Sequence, residues 1–260
     1  MDESVVVRWA DAADGAVVVT MDQPPANALG PPIVDGLTAA LDAADQRDDV
    51  RTMIITSARP GFFAAGADIK HMAGIDGASF IAYGDRLRAV LDRLAGSNRI
   101  TIAAVEGLAL GGGLELAMAC TMRVAGADAR FGLPEARLGL IPGAGGTQRL
   151  PRLVGRGRAV DIMATARQVP AAEAKEIGLV DRLVDAGGAL DTAHQLAATL
   201  AKASMPALGA VVRTVDAAFD LPLDAGFRYE IAQEQELFEH GDAKEGLTAF
   251  LEKRPPRFGP

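Results

Sequence analysis

The chain has 260 residues, 49% of them hydrophobic, and a formal net charge of −8. That much apolar material suits one large domain, or one domain with an appendage. The acidic balance excludes a general nucleic-acid binder, which needs a basic face for phosphates, but leaves room for a small anion held by a helix N-terminus.

At the N-terminus, Met1-Asp2-Glu3-Ser4 lacks the basic start and apolar stretch of a signal peptide and the Arg-rich character of a transit peptide. No apolar run is long enough to span a bilayer, so no membrane partner is expected. Residues 5–9 and 16–21 are β-rich runs separated by a segment containing Asp14-Gly15, the pattern of a hairpin. Residues 31–44 open on prolines and carry Ile33, Leu37, Ala40, Leu41 and Ala44 at helical spacing. A buried strand is predicted at 52–57, ended by Arg59-Pro60-Gly61. A helix follows over about 78–94, then an apolar strand at 100–105, a glycine run leading into a helix, and a strand at 122–125. This alternation of strand and helix predicts an α/β fold with parallel crossovers. The only cysteine, Cys120, falls in the apolar helix, reads as a core residue, and suits a reducing, cytoplasmic setting.

Beyond residue 150 the pattern is mostly helical: 158–165, 171–177, 190–202, 208–219, 223–238 and 243–251, with one strand at 179–184. The expected division is a core over 1–198 and a helical region over 199–260 that packs subunits together.

Four segments carry the chemical signal. The first is Phe63-Ala64-Ala65-Gly66-Ala67-Asp68-Ile69-Lys70, a small-residue loop between strand and helix. The second is Gly111-Gly112-Gly113-Leu114-Glu115, where glycines let a ligand approach main-chain N–H groups at a helix start and a carboxylate follows one turn later. The third, Phe131-Gly132-Leu133-Pro134-Glu135, places a proline suited to a first helical turn ahead of a second carboxylate. The fourth, residues 141–150, is another glycine-rich entry to a helix. Taken singly, each has an ordinary structural explanation; a first-turn Glu commonly does no more than stabilise the dipole by ~0.3–1 kcal/mol. Competing motifs fail on spacing: there is no Walker phosphate loop, no dinucleotide fingerprint and no nucleophile elbow. His71, His194 and His240 are scattered, so no metal site is expected.

Taken together and in order, the four segments resemble the enoyl-CoA hydratase/isomerase, or crotonase, superfamily, most nearly its hydratase branch. Asn27-Ala28-Leu29 and the tail Ala249-Phe250-Leu251-Glu252-Lys253-Arg254 fit the same family. The resemblance implies a crotonase-like ββα superhelix with a helical C-terminal trimerisation region, assembled as a trimer or a dimer of trimers. It implies an acyl-CoA thioester as substrate and no cofactor apart from the coenzyme A that the substrate carries. By the same resemblance, the N–H groups of Ala67 and Gly112 form the oxyanion hole, Glu115 activates water for attack at C3, and Glu135 delivers a proton to C2. Ala65, Ala67, Asp68, Ile69, Lys70, Gly112, Gly143 and Lys253 are the implied substrate-binding positions, with Lys70 and Lys253 near the CoA phosphates. Met72, Ile75, Phe80, Tyr83, Leu138 and Ile141 suit either an acyl pocket or the core. Isomerases of the family lack an acid at the Glu115 position, so the pair favours hydration. The alternatives are a Δ3,Δ2-enoyl-CoA isomerase, another acyl-CoA enzyme of this fold, or a non-catalytic acyl-CoA-binding or RNA-binding homologue.

Overall fold

The computed structural model describes residues 6–259. Val5, the first residue of the predicted opening strand, lies outside the described residues together with residues 1–4 and 260. Strands β1 (Val7–Asp11) and β2 (Ala16–Met21) form the expected antiparallel hairpin. Asp14 and Gly15 turn the chain between them with φ of 60° and 67°, the left-handed pair that an Asp-Gly connection favours. Helix α1 (Pro31–Asp45) begins on two prolines and buries Ile33, Val34, Leu37, Ala40, Leu41 and Ala44 along one side.

A ββα unit is then wound three times. Strand β3 (Thr52–Ser57) leads to β4 (Phe62–Ala64), the short helix α2 (Ile69–Ala73) and α3 (Gly77–Ala95). Strand β5 (Ile100–Val105) leads to β6 (Leu108–Leu110) and α4 (Gly112–Ala119). Strand β7 (Met122–Gly126) leads to β8 (Arg130–Gly132), a 3-10 turn at Glu135–Leu138, α5 (Gly146–Val154) and α6 (Arg156–Thr165). The rest comprises β9 (Val169–Pro170), α7 (Ala171–Glu176), β10 (Arg182–Val184), α8 (Ala189–Leu200), α9 (Met205–Ala217), α10 (Leu223–His240) and α11 (Ala243–Leu251).

The first strand of each unit enters a six-stranded sheet of order β1-β2-β3-β5-β7-β10, and the second enters a four-stranded sheet of order β4-β6-β8-β9. The sequence pattern shows the first sheet but not the second, because β4, β6 and β8 have only three residues each. Such a strand is stabilised by its partners more than by its own composition. The first sheet is apolar on both faces, as a covered parallel sheet must be. Val17, Val19, Met21, Met53, Ile55, Ala103 and Val105 belong to a core shared with α1, α3, α4 and the second sheet. The alternating residues Ile54, Ile100, Ile102, Ala104 and Val124 meet Ala189, Ala193, Leu196 and Ala197 of α8.

Strands β4, β6 and β8 run parallel, with Ala64 beside Ala109 and Leu110 beside Gly132. Their carboxyl ends therefore release three consecutive loops at one place, and the first three sequence motifs are those loops. At the other extreme, α10 has no buried residue, and it exposes Leu223, Phe227, Ile231 and Phe238. No single helix among the described residues is long and apolar enough to cross a membrane.

Candidate active site

Asn27 anchors the first loop from below. It is fully buried with φ of 51°. Its Oδ1 accepts the Gln23 N–H at 2.7 Å, and its Nδ2 donates to Ser57 Oγ at 2.7 Å and to the Phe63 carbonyl at 3.0 Å. From this anchor the Leu29 N–H donates to the Gly66 carbonyl at 2.8 Å, and the Ala65 N–H donates to the Ala26 carbonyl at 2.9 Å. The Ala65 N–H is thus already occupied. Asp68 is a helix cap, its Oδ1 accepting the His71 N–H at 3.0 Å. Tyr83 ties the end of the loop down: its hydroxyl accepts the Asp68 N–H and donates to the Leu29 carbonyl. Its polar role in fixing the loop was not among the sequence expectations, which offered Tyr83 as pocket lining or core.

The glycine run crosses this loop at very short range. A methyl group built on Gly113 would lie 2.2 Å from the Ala64 carbonyl oxygen, so α4 packs against β4 backbone to backbone. Gly111 turns the chain with φ of 50°, a conformation that side chains disfavour. A methyl group there would lie 2.7 Å from Glu135 Oε1. One built on Gly112 would lie 3.5 Å from the Ala67 nitrogen, and one on Gly66 would lie 3.5 Å from the Gly112 nitrogen. The Ala67 and Gly112 N–H groups are therefore neighbours. Among the described residues neither has a hydrogen-bond acceptor, as the start of a helix dictates for Gly112. Two such adjacent donors suit an oxygen that becomes negative.

Glu115 lies one turn into α4 and is 2% exposed. Its Oε1 accepts the N–H of Ala144 at 2.8 Å and that of Gly146 at 2.7 Å. The fourth motif thus serves as the cradle of Glu115, with the N-terminus of α5 aimed at the carboxylate. The motif's position in the chain marked it as relevant, but this partnership joins residues 29 and 31 positions apart and has no local signal. Burial pushes the Glu115 carboxyl above its ordinary range, and the two N–H donors oppose that shift. Glu135 opens the 3-10 turn. Burial, with a smaller contribution from the neighbouring charge of Glu115, raises its carboxyl to about 7. Its Oε2 is buried with no partner among the described residues. The arrangement holds one carboxyl with strong donors and the other without, which is how a pair separates into a base and an acid.

Of the other expected positions, Gly143 offers its carbonyl to Arg88, while its neighbours Ala144 and Gly146 hold Glu115. Ile69 and Lys70 are exposed at the start of α2. Lys253 lies in the turn just after α11, with φ of 55°. Neither lysine forms an ion pair or side-chain hydrogen bond among the described residues. Leu138 and Ile141, after Glu135, are exposed, Ile141 at 74%. They form an apolar rim and are not part of the core.

The fold and this site define an acyl-CoA enzyme of the crotonase type, and residues 11–260 match the enoyl-CoA hydratase/isomerase family. The chain belongs to that family. It is 41% identical over 242 residues to a probable enoyl-CoA hydratase of Mycobacterium tuberculosis, covering 93% of each chain. It is 39% identical to the human mitochondrial methylglutaconyl-CoA hydratase, covering 89% of this chain and 70% of that one. The crystal structure of an enoyl-CoA hydratase from Bacillus anthracis superimposes with a TM-score of 0.93 at 33% identity, covering 97% of this chain and 98% of that one.

Proposed function

We propose that this protein is an enoyl-CoA hydratase, adding water reversibly across the C2=C3 bond of a trans-2-enoyl-CoA to give the 3-hydroxyacyl-CoA. The observation that carries the proposal is the pairing of a cradled carboxylate, Glu115, with a carboxyl raised to about 7, Glu135, beside two adjacent N–H groups that have no acceptor among the described residues. Ala67 and Gly112 donate to the thioester oxygen as it takes on enolate character. Glu115 removes a proton from water as its oxygen bonds to C3, and Glu135 delivers its proton to C2. Glu115 ends protonated and Glu135 ionised, and proton exchange with solvent restores the pair. A single-carboxylate isomerase would have no use for the cradle around Glu115.

The same proposal places the CoA moiety along the loop of Ala65, Ala67, Asp68, Ile69 and Lys70, with Lys253 reaching the phosphates from a neighbouring subunit. It requires no cofactor beyond the substrate's own coenzyme A and sets the protein in the cytoplasm. Residues 199–260 form the oligomerisation region, the division from the core falling in the last turn of α8. Trimers, singly or in pairs, cover the apolar side chains that α10 leaves exposed.

The test is to mix the protein with crotonyl-CoA and follow loss of the conjugated thioester absorbance. Glu115→Gln and Glu135→Gln are each expected to lower kcat by ~10²–10⁴-fold while CoA-ester binding persists. A wild-type protein that binds crotonyl-CoA without hydrating it overturns the proposal.

A further inference from the structure

The loop that cradles Glu115 is itself held from outside by two arginines. Arg88, on α3, donates through Nη2 at 2.9 Å and Nε at 3.3 Å to the Gly143 carbonyl. That carbonyl belongs to the same peptide unit as the Ala144 N–H, which donates to Glu115 Oε1. Arg149, on α5, donates through Nη1 at 3.0 Å to the next carbonyl, that of Ala144. Both guanidinium groups are anchored by acids of α3: Arg88 by Asp85 at 2.9 Å and Arg149 by Asp92 at 2.8 Å. Asp85, Arg88 and Asp92 are three and four residues apart, so one face of α3 presents Arg88 and both anchoring acids.

We propose that Arg88 and Arg149 are positioning residues which clamp the Gly143 and Ala144 carbonyls, aim the loop's N–H groups at Glu115, and keep that carboxylate in its ionised, water-activating form. A cation on a peptide oxygen polarises the unit and strengthens the bond made by its N–H, so Arg88 acts on Glu115 through one peptide without touching it. The charges facing Glu115 come from every packed element that carries one: Arg88 with Asp85 and Asp92 behind it on α3, Arg149 on α5, and Glu135 on the 3-10 turn. Strands β4 and β6 contribute no titratable side chain. Arg123 of β7 is engaged with Asp181 and the Cys120 carbonyl at the far end of α4. Both arginines favour the charged form of Glu115. The clamp's contribution to turnover rests on the hydratase reading; its effect on Glu115 ionisation does not.

Infrared titration of the protonated-carboxyl stretch, assigned to Glu115 by its loss in Glu115→Gln, reads that ionisation without turnover. Arg88→Gln is expected to raise the midpoint by about half to one pH unit, and Arg88→Lys to recover most of the shift. Arg86→Gln, on the opposite side of α3 and paired with Asp35, is expected to leave it unchanged. In the hydration assay the acid limb of kcat/KM follows, with an about threefold to tenfold loss on that limb and little change at neutral pH. A wild-type midpoint in Arg88→Gln, or an equal shift in Arg86→Gln, overturns the clamp. A moved midpoint in a protein that never hydrates crotonyl-CoA supports the clamp and sinks the hydratase reading.

Discussion

The glycine-lined site and the C-terminal helices break the ordinary rules of burial in opposite directions. In the first, two carboxyls lie under small residues, one of them 2% exposed and the other with an oxygen that has no partner among the described residues. In the second, α10 and α11 turn Phe227, Ile231, Phe238, Phe250 and Leu251 outward, Phe250 at 81%. Buried charge is costly unless held, and a broad exposed apolar face marks an interaction surface. The two regions suit different kinds of contact. The site suits reacting groups placed at atomic precision; the helical face suits an apolar area, for which side-chain identity matters less than size. Substitutions should therefore act steeply in one region and gradually in the other.

Apart from the two carboxyls themselves, the steepest expected effect is at Gly113. A methyl group there meets the Ala64 carbonyl at 2.2 Å, so Gly113→Ala must push α4 away from β4 and separate the Ala67 and Gly112 donors. Loss of even one such donor typically costs ~10²–10³ in kcat, and Gly113→Ala is expected to reach that range in the crotonyl-CoA assay. Full activity would mean that the backbone contact does not set the site. In the helices, Phe227→Asp combined with Ile231→Asp is expected to shift sedimentation from an oligomer to single chains. A wild-type protein that already sediments as single chains would remove one side of the comparison.

The same contrast explains what the sequence reveals. Helices α1 and α3, strands β3, β5 and β7, and all four chemical motifs were legible, because each rests on a local pattern: prolines at a helix start, a 3.6-residue apolar period, or a short apolar run. The second sheet was not legible. Its three-residue strands are defined by long-range parallel pairing, as between Ala64 and Ala109. Glu115 and Glu135 were legible through their motifs, whereas the Ala144 and Gly146 donors, the Tyr83 tie and the Arg88 and Arg149 contacts were not. Backbone donors have no side-chain signature, and an arginine on α3 looks like any solvated helix face until the fold brings Gly143 to it.

A smaller effect comes from pH. The Glu135 carboxyl sits at about 7 in the folded chain against an ordinary 4.5, so between those values the folded state holds more protons than the unfolded one. Stability is then fullest below about 4.5 and falls as pH rises through about 7. Glu135→Gln removes the ionising group, and its melting temperature relative to wild type is expected to be more favourable at pH 8 than at pH 5. The hydration rate of wild type is expected to decline above about pH 7 in the same window, because the proton donor is lost. A variant whose advantage is equal at both pH values would show that burial does not hold Glu135 protonated.

The smallest effects belong to the lysines, which fit neither side of the comparison. Lys70 is exposed at the edge of the site and Lys253 at the end of the helical region, so any contact with the CoA phosphates is made in high dielectric. Exposed ion pairs are worth only ~0.2–1 kcal/mol, which corresponds to a few-fold change in binding. Lys70→Ala and Lys253→Ala are each expected to raise KM about twofold to fivefold with kcat unchanged, the mark of binding shared by ground and transition states. The two lysines also separate the regions' contributions. If Lys253 reaches a neighbour's site, its KM effect should vanish in Phe227→Asp with Ile231→Asp, where that neighbour is gone, whereas the Lys70 effect should persist. An effect of Lys253 that survives in single chains would place it over its own site and reduce the helical region to packing alone.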